Sequence, residues 1–148
     1  MEFLQTLLAA VSLVGLAVII HYESLRAIST VTSILAIPHR ALSLVVIAGV
    51  LLAHLMEICL FAIGFFLLHS YLGLGAIAGQ FEGSALDYFY FSATTYSTLG
   101  VGVPTGGLRL VAGVEALAGL VLIGWSASFT YLSMQRSWDQ MQSRTLRS

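Results

Sequence analysis

The chain is 148 residues long, 58% hydrophobic and only 9% charged, with a mean hydropathy of +0.94; a soluble domain carries nearer to about 25% charged residues. Its six basic residues are all arginine and are set against seven acidic ones, for a formal net charge of −1. Water is therefore excluded as the solvent for most of the surface, and no basic face exists that could follow a phosphate backbone, so nucleic acid is not an expected partner. A lone cysteine, Cys59, sits in an apolar run and cannot form an internal disulfide.

Taken in chain order, residues 3–20 form an apolar run of about 18 residues, close to the length needed to cross roughly 30 Å of hydrocarbon. Glu2 stands where a secretory leader would have a basic segment, and no small-residue cleavage pattern precedes His21, so the run reads as a retained first span. Residues 21–37 place Leu25, Ile28, Val31 and Leu35 at helical spacing opposite Glu23, Ser24 and Thr30, and the stretch ends at Pro38. This predicts a separate interfacial helix. Residues 41–68 are apolar almost throughout and predict a second, long or tilted span. After Gly73, Gly75 and Gly79, the sequence Ser84-Ala85-Leu86-Asp87 resembles a capping box and predicts a helix over residues 85–97. At about 20 Å, that helix is too short to cross. Residues 108–134 predict the third span, with Gly113, Gly119 and Gly124 along it.

The arginines set the expected orientation, because basic residues stay preferentially on the cytoplasmic side during insertion. With Arg136, Arg144 and Arg147 inside, Arg26 and Arg40 also fall inside and only Arg109 lies outside. The N-terminus is then external and the C-terminus cytoplasmic in a multi-pass protein of the cell (inner) membrane. Glu2, Glu82 and Asp87 lie outside beside the short helix, where they would raise the local cation concentration.

The chemistry concentrates in Thr94-Thr95-Tyr96-Ser97-Thr98-Leu99-Gly100-Val101-Gly102-Val103-Pro104, between two spanning helices. Unsatisfied amides cost several kcal/mol each in hydrocarbon, so non-helical chain at membrane depth must be buried by protein or meet water or ions. Alternating glycines open backbone dihedrals that let successive carbonyls face one axis and replace an ion's hydration shell. The short helix before them would direct the negative end of its dipole toward the same path.

On these residues, Thr98-Leu99-Gly100-Val101-Gly102 resembles the Thr-Val-Gly-Tyr-Gly selectivity filter of the pore-loop potassium channels, following a helix end rich in threonine and serine. The resemblance covers roughly residues 44–134 in the order outer helix, pore helix, filter and inner helix. It implies an all-α membrane protein with three transmembrane helices, a re-entrant pore helix and an extended filter, assembled as a homotetramer. The division that follows is residues 1–38 as an added transmembrane and interfacial segment, 39–135 as the pore module and 136–148 as a short cytoplasmic tail. It also implies that Thr98, Leu99, Gly100 and Val101 present carbonyls to K+ as the permeant ion, that Gly102 closes the filter, that Thr94, Thr95 and Ser97 support it, and that Gly119 lies where a hinge glycine often does. Two positions depart from the pattern. Val101 replaces the usual aromatic residue; Val103 replaces an aspartate, and Thr94 stands where many bacterial members carry its glutamate partner. The expectation is a potassium-preferring filter less rigid than in the most selective members.

Several residues stay open between two uses. His54 and Glu57 share a helix face and read either as a metal or proton-relay pair or as a buried carboxylate bonded to its neighbour. Glu115 either lines the cavity or sits behind the pore helix bonded to a hydroxyl such as Ser92, the structural role being preferred. Tyr88, Phe89, Tyr90 and Phe91 read as packing around a pore. No nucleophile, base or metal constellation stands at recognisable spacing, so neither an enzyme nor a cofactor is expected. The competing functions are a non-selective cation channel, a channel-like subunit that needs a partner, and a small membrane scaffold with a re-entrant loop. The N-terminal helix would wrap the assembly or bind an auxiliary membrane partner.

Overall fold

The computed structural model describes residues 1–34 and 38–145, with residues 39, 40 and 136–145 described by backbone alone. Its elements in chain order are α1 (Glu2–Ile34), α2 (His39–Ser70), β1 (Ile77–Ala78), α3 (Ala85–Tyr96), β2 (Val103–Pro104) and α4 (Leu108–Thr145). Three of the helices, α1, α2 and α4, are long and apolar enough to cross a membrane. Large apolar side chains such as Val11, Ile19, Leu52, Ile63 and Leu120 remain exposed along them, as a lipid-facing surface requires.

The first span and the expected interfacial helix are one continuous helix. No glycine or proline interrupts residues 21–34, and His21 is fully buried instead of lying at a membrane surface. The apolar stripe expected to rest on lipid headgroups packs on protein: Leu25 and Ile28 form a cluster with Val46 and Val50 of α2. The expected end of that helix near Ile37 lies outside the described residues. Pro38 caps the start of α2 with an extended backbone (φ −57°, ψ 144°).

Helices α1 and α2 are antiparallel, and the register can be followed along them. A Cβ on Gly64 would meet Leu13, one on Gly49 would meet Ile28, and between these levels His21 reaches Glu57. Helix α4 runs parallel to α1, with Gly107 against Thr6 at one end and Ser126 near His21 further along. The main core lies between these helices and α3. Ala10 and Ala17 let α1 lie close to Phe61 and Phe65, and Phe65 meets Phe91 edge-on with ring centroids 4.8 Å apart.

Helix α3 begins as the sequence predicts. The Ser84 hydroxyl accepts from the Asp87 amide at 3.2 Å, and Asp87 accepts in return from the Ser84 amide at 3.0 Å. The loop after α2 clasps the segment after residues 98–102: β1 pairs antiparallel with β2, the Thr105 amide donates to the Ala76 carbonyl, and Gly107 donates to the Leu74 carbonyl. Helix α4 extends past the expected end near residue 134 to Thr145, because residues 135–145 hold helix formers such as Gln, Arg and Met and no glycine or proline. The rest of the expected tail, with Arg147, lies outside the described residues.

Candidate functional site

Residues 97–102 leave α3 at its C-terminal end, and their backbone is tied to the helix they leave. The Ser97 amide donates to the Ala93 carbonyl, Thr98 to Thr95, and both Leu99 and Gly100 to the Thr94 carbonyl at 2.8 and 3.0 Å. The amides of residues 97–100 are thus used up within the chain. Among the described residues, no hydrogen bond ends on the carbonyls of Thr98, Leu99, Gly100 or Val101. The backbone alternates in hand along this stretch: Thr98 (φ 62°) and Gly100 (φ 65°) are left-handed, whereas Leu99 and Val101 are not. An ordinary extended strand sends successive carbonyls to opposite sides, and alternation of hand turns them toward one side. A non-glycine residue held at positive φ is costly and uncommon, and Thr98 pays that strain at the helix exit.

The segment lies on the surface of the chain: Leu99 is 69% and Val101 55% exposed. Its back is packed. A Cβ on Gly102 would stand 2.5 Å from the Phe91 ring and 3.4 Å from Ile77, so the last glycine rests directly on α3 and β1. A Cβ on Gly100 would meet nothing within 4 Å in the same chain, and that position is constrained by its positive φ alone.

The supporting residues divide by depth. Thr94 and Thr95 are buried, the Thr94 hydroxyl donating to the Phe91 carbonyl, and Ser97 is exposed, its hydroxyl donating to Ala93 at 2.8 Å. Glu115 is fully buried behind α3 and 2.5 Å from the Ser92 hydroxyl, which also reaches the Ile58 carbonyl at 2.9 Å. Its second oxygen, Oε2, has no partner among the described residues. Gly119 marks a close approach: a Cβ there would lie 2.2 Å from the Tyr96 carbonyl oxygen, so the absent side chain lets α4 press on the last residue of α3.

Tyr96 is also held from the other side, by residues whose use the sequence left open. Its hydroxyl donates to Glu57 Oε2 and lies 2.9 Å from His54 Nδ1; His54 Nδ1 is 3.1 Å from the same carboxylate oxygen. The other carboxylate oxygen of Glu57 accepts from His21 Nδ1 at 2.8 Å, and His21 Nε2 is 3.4 Å from the Ser126 hydroxyl. All four helices therefore contribute to one polar node that ends on the residue preceding Ser97 and Thr98. Sequence reasoning paired His54 with Glu57 and missed His21 and Tyr96. His21 ends an apolar run, which is a signal, but its partner is set by the register of α1 on α2.

At the N-terminal end of α3, Asp87 is held below the usual aspartate value near 3.8, first by the Ser84 backbone amide, then by the Ser84 side chain and the amides of Glu82 and Gly83. Its anion, kept near the N-terminus of α3, complements that end of the helix dipole while the opposite end points at residues 97–102. Chemically, the arrangement offers carbonyl oxygens that accept no hydrogen bond among the described residues, beside the negative end of a short helix, which favours cations.

A family model described as ion channel matches residues 40–135, from the start of α2 into α4, and leaves α1 outside. No curated protein and no solved structure matches the chain.

Proposed function

The chain belongs to the two-transmembrane pore-loop ion-channel family, and from that premise we propose that it is a homotetrameric, potassium-preferring channel whose filter is residues 98–102. A multi-pass membrane protein of this family moves ions down their gradient and needs no catalytic group. One subunit lines only part of a pore, so four copies around a symmetry axis are the arrangement in which the carbonyls of Thr98, Leu99, Gly100 and Val101 would surround a dehydrated K+. The observation that carries this reading is the alternating hand at Thr98 and Gly100, with the amides of residues 97–100 tied back to α3. Potassium ions are cargo here. The arginine distribution supports an external N-terminus and a cytoplasmic C-terminus in the cell membrane. Val101 and Val103 leave the back of the filter without the hydroxyl and carboxylate bonds of more selective members, so the expected preference for K+ over Na+ is moderate.

Purified protein in liposomes tests this directly. K+ flux that exceeds Na+ flux and is blocked by Ba2+, from a particle of four chains by native mass spectrometry, is the expected result. Equal K+ and Na+ flux from tetramers overturns the selectivity and leaves a cation pore. Well-folded protein with no cation flux overturns conduction itself, and a monomer or dimer favours the scaffold.

A further inference from the structure

The node between α1, α2 and α3 has the donor set of a transition-metal site. One ring nitrogen each of His21 and His54 and a Glu57 carboxylate oxygen all lie within 4.8 Å of one another, and the Tyr96 hydroxyl stands at hydrogen-bond distance from two of the three residues. We infer that His21, His54 and Glu57 bind one divalent cation of the zinc class per chain, with Tyr96 or a water as the fourth ligand.

Four features support the inference. The ligand types are two imidazoles and one carboxylate, a combination suited to zinc and its neighbours and poorly suited to alkali or alkaline-earth ions, which prefer all-oxygen shells. The size fits: metal–ligand bonds of about 2.0–2.2 Å in a tetrahedron place ligand atoms roughly 3.3–3.6 Å apart, slightly wider than the present 2.8 Å between His21 and Glu57 and 3.1 Å between His54 and Glu57. The third feature is the outer partner of His21. While Nδ1 donates to Glu57 it carries the proton; to bind a metal, Nδ1 must give that proton up and Nε2 must carry one. The Ser126 hydroxyl lies 3.4 Å from Nε2, placed to accept from it and fix that tautomer, as the outer partners of metal-bound histidines do. Finally, His21 and Glu57 are fully buried and the His54 side chain keeps only 14% exposure, so the three ligands are largely shielded from competing water.

A metal at this position would join α1, which lies outside residues 40–135, to the end of α3 next to residues 97–102. The site stands on its own geometry and does not depend on which ion the pore conducts.

The full-length assembly in detergent, stripped with a chelator and desalted, is equilibrated with Zn2+ or Co2+. The expected result is about one metal per chain and the intense visible bands of four-coordinate Co2+. His21→Gln and His54→Gln should each weaken binding by about tenfold or more, and His69→Gln, which alters a histidine bonded to Tyr88, should not. No retained metal, six-coordinate cobalt, or His21→Gln and His54→Gln variants that bind like the wild type would overturn the assignment and leave a node held by hydrogen bonds alone. Should a variant fail to assemble, Cu2+ and ascorbate are applied to the wild type and oxidised residues are mapped by mass spectrometry. Oxidation centred on His21 and His54 supports the site, and oxidation centred elsewhere overturns it.

Discussion

Replacing Gly119 by alanine tests the contact on which the position of the proposed filter rests. The added Cβ would stand 2.2 Å from the Tyr96 carbonyl oxygen and 3.0 Å from its carbonyl carbon, about 1.2 Å short of ordinary contact, which begins near 3.4 Å. Both partners are backbone, so neither can rotate away; α4 and the end of α3 must part. Overpacking of this kind costs about 1–3 kcal/mol. The comparison is made on the same helix: Gly113→Ala and Gly124→Ala would meet nothing within 4 Å in the chain, and a glycine-to-alanine change inside a helix gains up to about 1 kcal/mol. Thermal or detergent-induced loss of the folded assembly measures the difference, and liposome flux measures its consequence. Because Tyr96 immediately precedes Ser97 and Thr98, the Gly119→Ala variant should also discriminate less between K+ and Na+. If Gly119→Ala matches Gly124→Ala in both stability and selectivity, the contact does not hold the filter and the reasoning fails.

Ser92→Ala removes the one hydrogen-bond partner that Glu115 has among the described residues, leaving both of its buried oxygens unsatisfied; a loss of about 1–3 kcal/mol in assembly stability is expected, and combining it with Glu115→Gln should cost less than the sum of the two changes. Gly102→Ala drives a methyl group to 2.5 Å from a Phe91 ring already held against Phe65, so K+ flux should fall sharply in protein that still assembles; unchanged flux would count against residues 98–102 as the conduction path. Tyr96→Phe keeps the ring and removes the hydroxyl bonds to Glu57 and His54, and is expected to destabilise by about 1–3 kcal/mol, read by the same thermal assay. Asp87 has a folded value depressed below the ordinary 3.8, so its contribution is fully present above that ordinary value and is lost as pH falls through the lower folded one. Acid titration of assembly stability should show that loss in the wild type and not in Asp87→Asn.

The local features of this protein were legible because each depends on near neighbours in the chain. Three apolar runs report a membrane solvent whatever their packing, Ser84 and Asp87 meet across a single helical turn, and the glycine at 100 announces backbone geometry that other residues resist, whereas Gly102 has no positive φ and is required by its contact with Phe91 instead. The Ser92–Glu115 pairing was within reach for a similar reason, since both residues fall on elements whose order was already known. What the chain could not disclose alone was register. The sequence divided residues 3–37 into a span and a surface helix because residues 21–37 are mixed, with Glu23, Ser24 and Thr30 opposite an apolar stripe, yet polarity at one position does not say whether its partner is water or protein. Only the antiparallel packing of α1 on α2 brings His21 opposite Glu57, and only then does an apparent helix boundary become the buried centre of a node. The clasp of β1 on β2 and the pressure of Gly119 on Tyr96 likewise join segments distant in sequence. Their energies come from contacts that exist only after folding, so a linear pattern carries no trace of them.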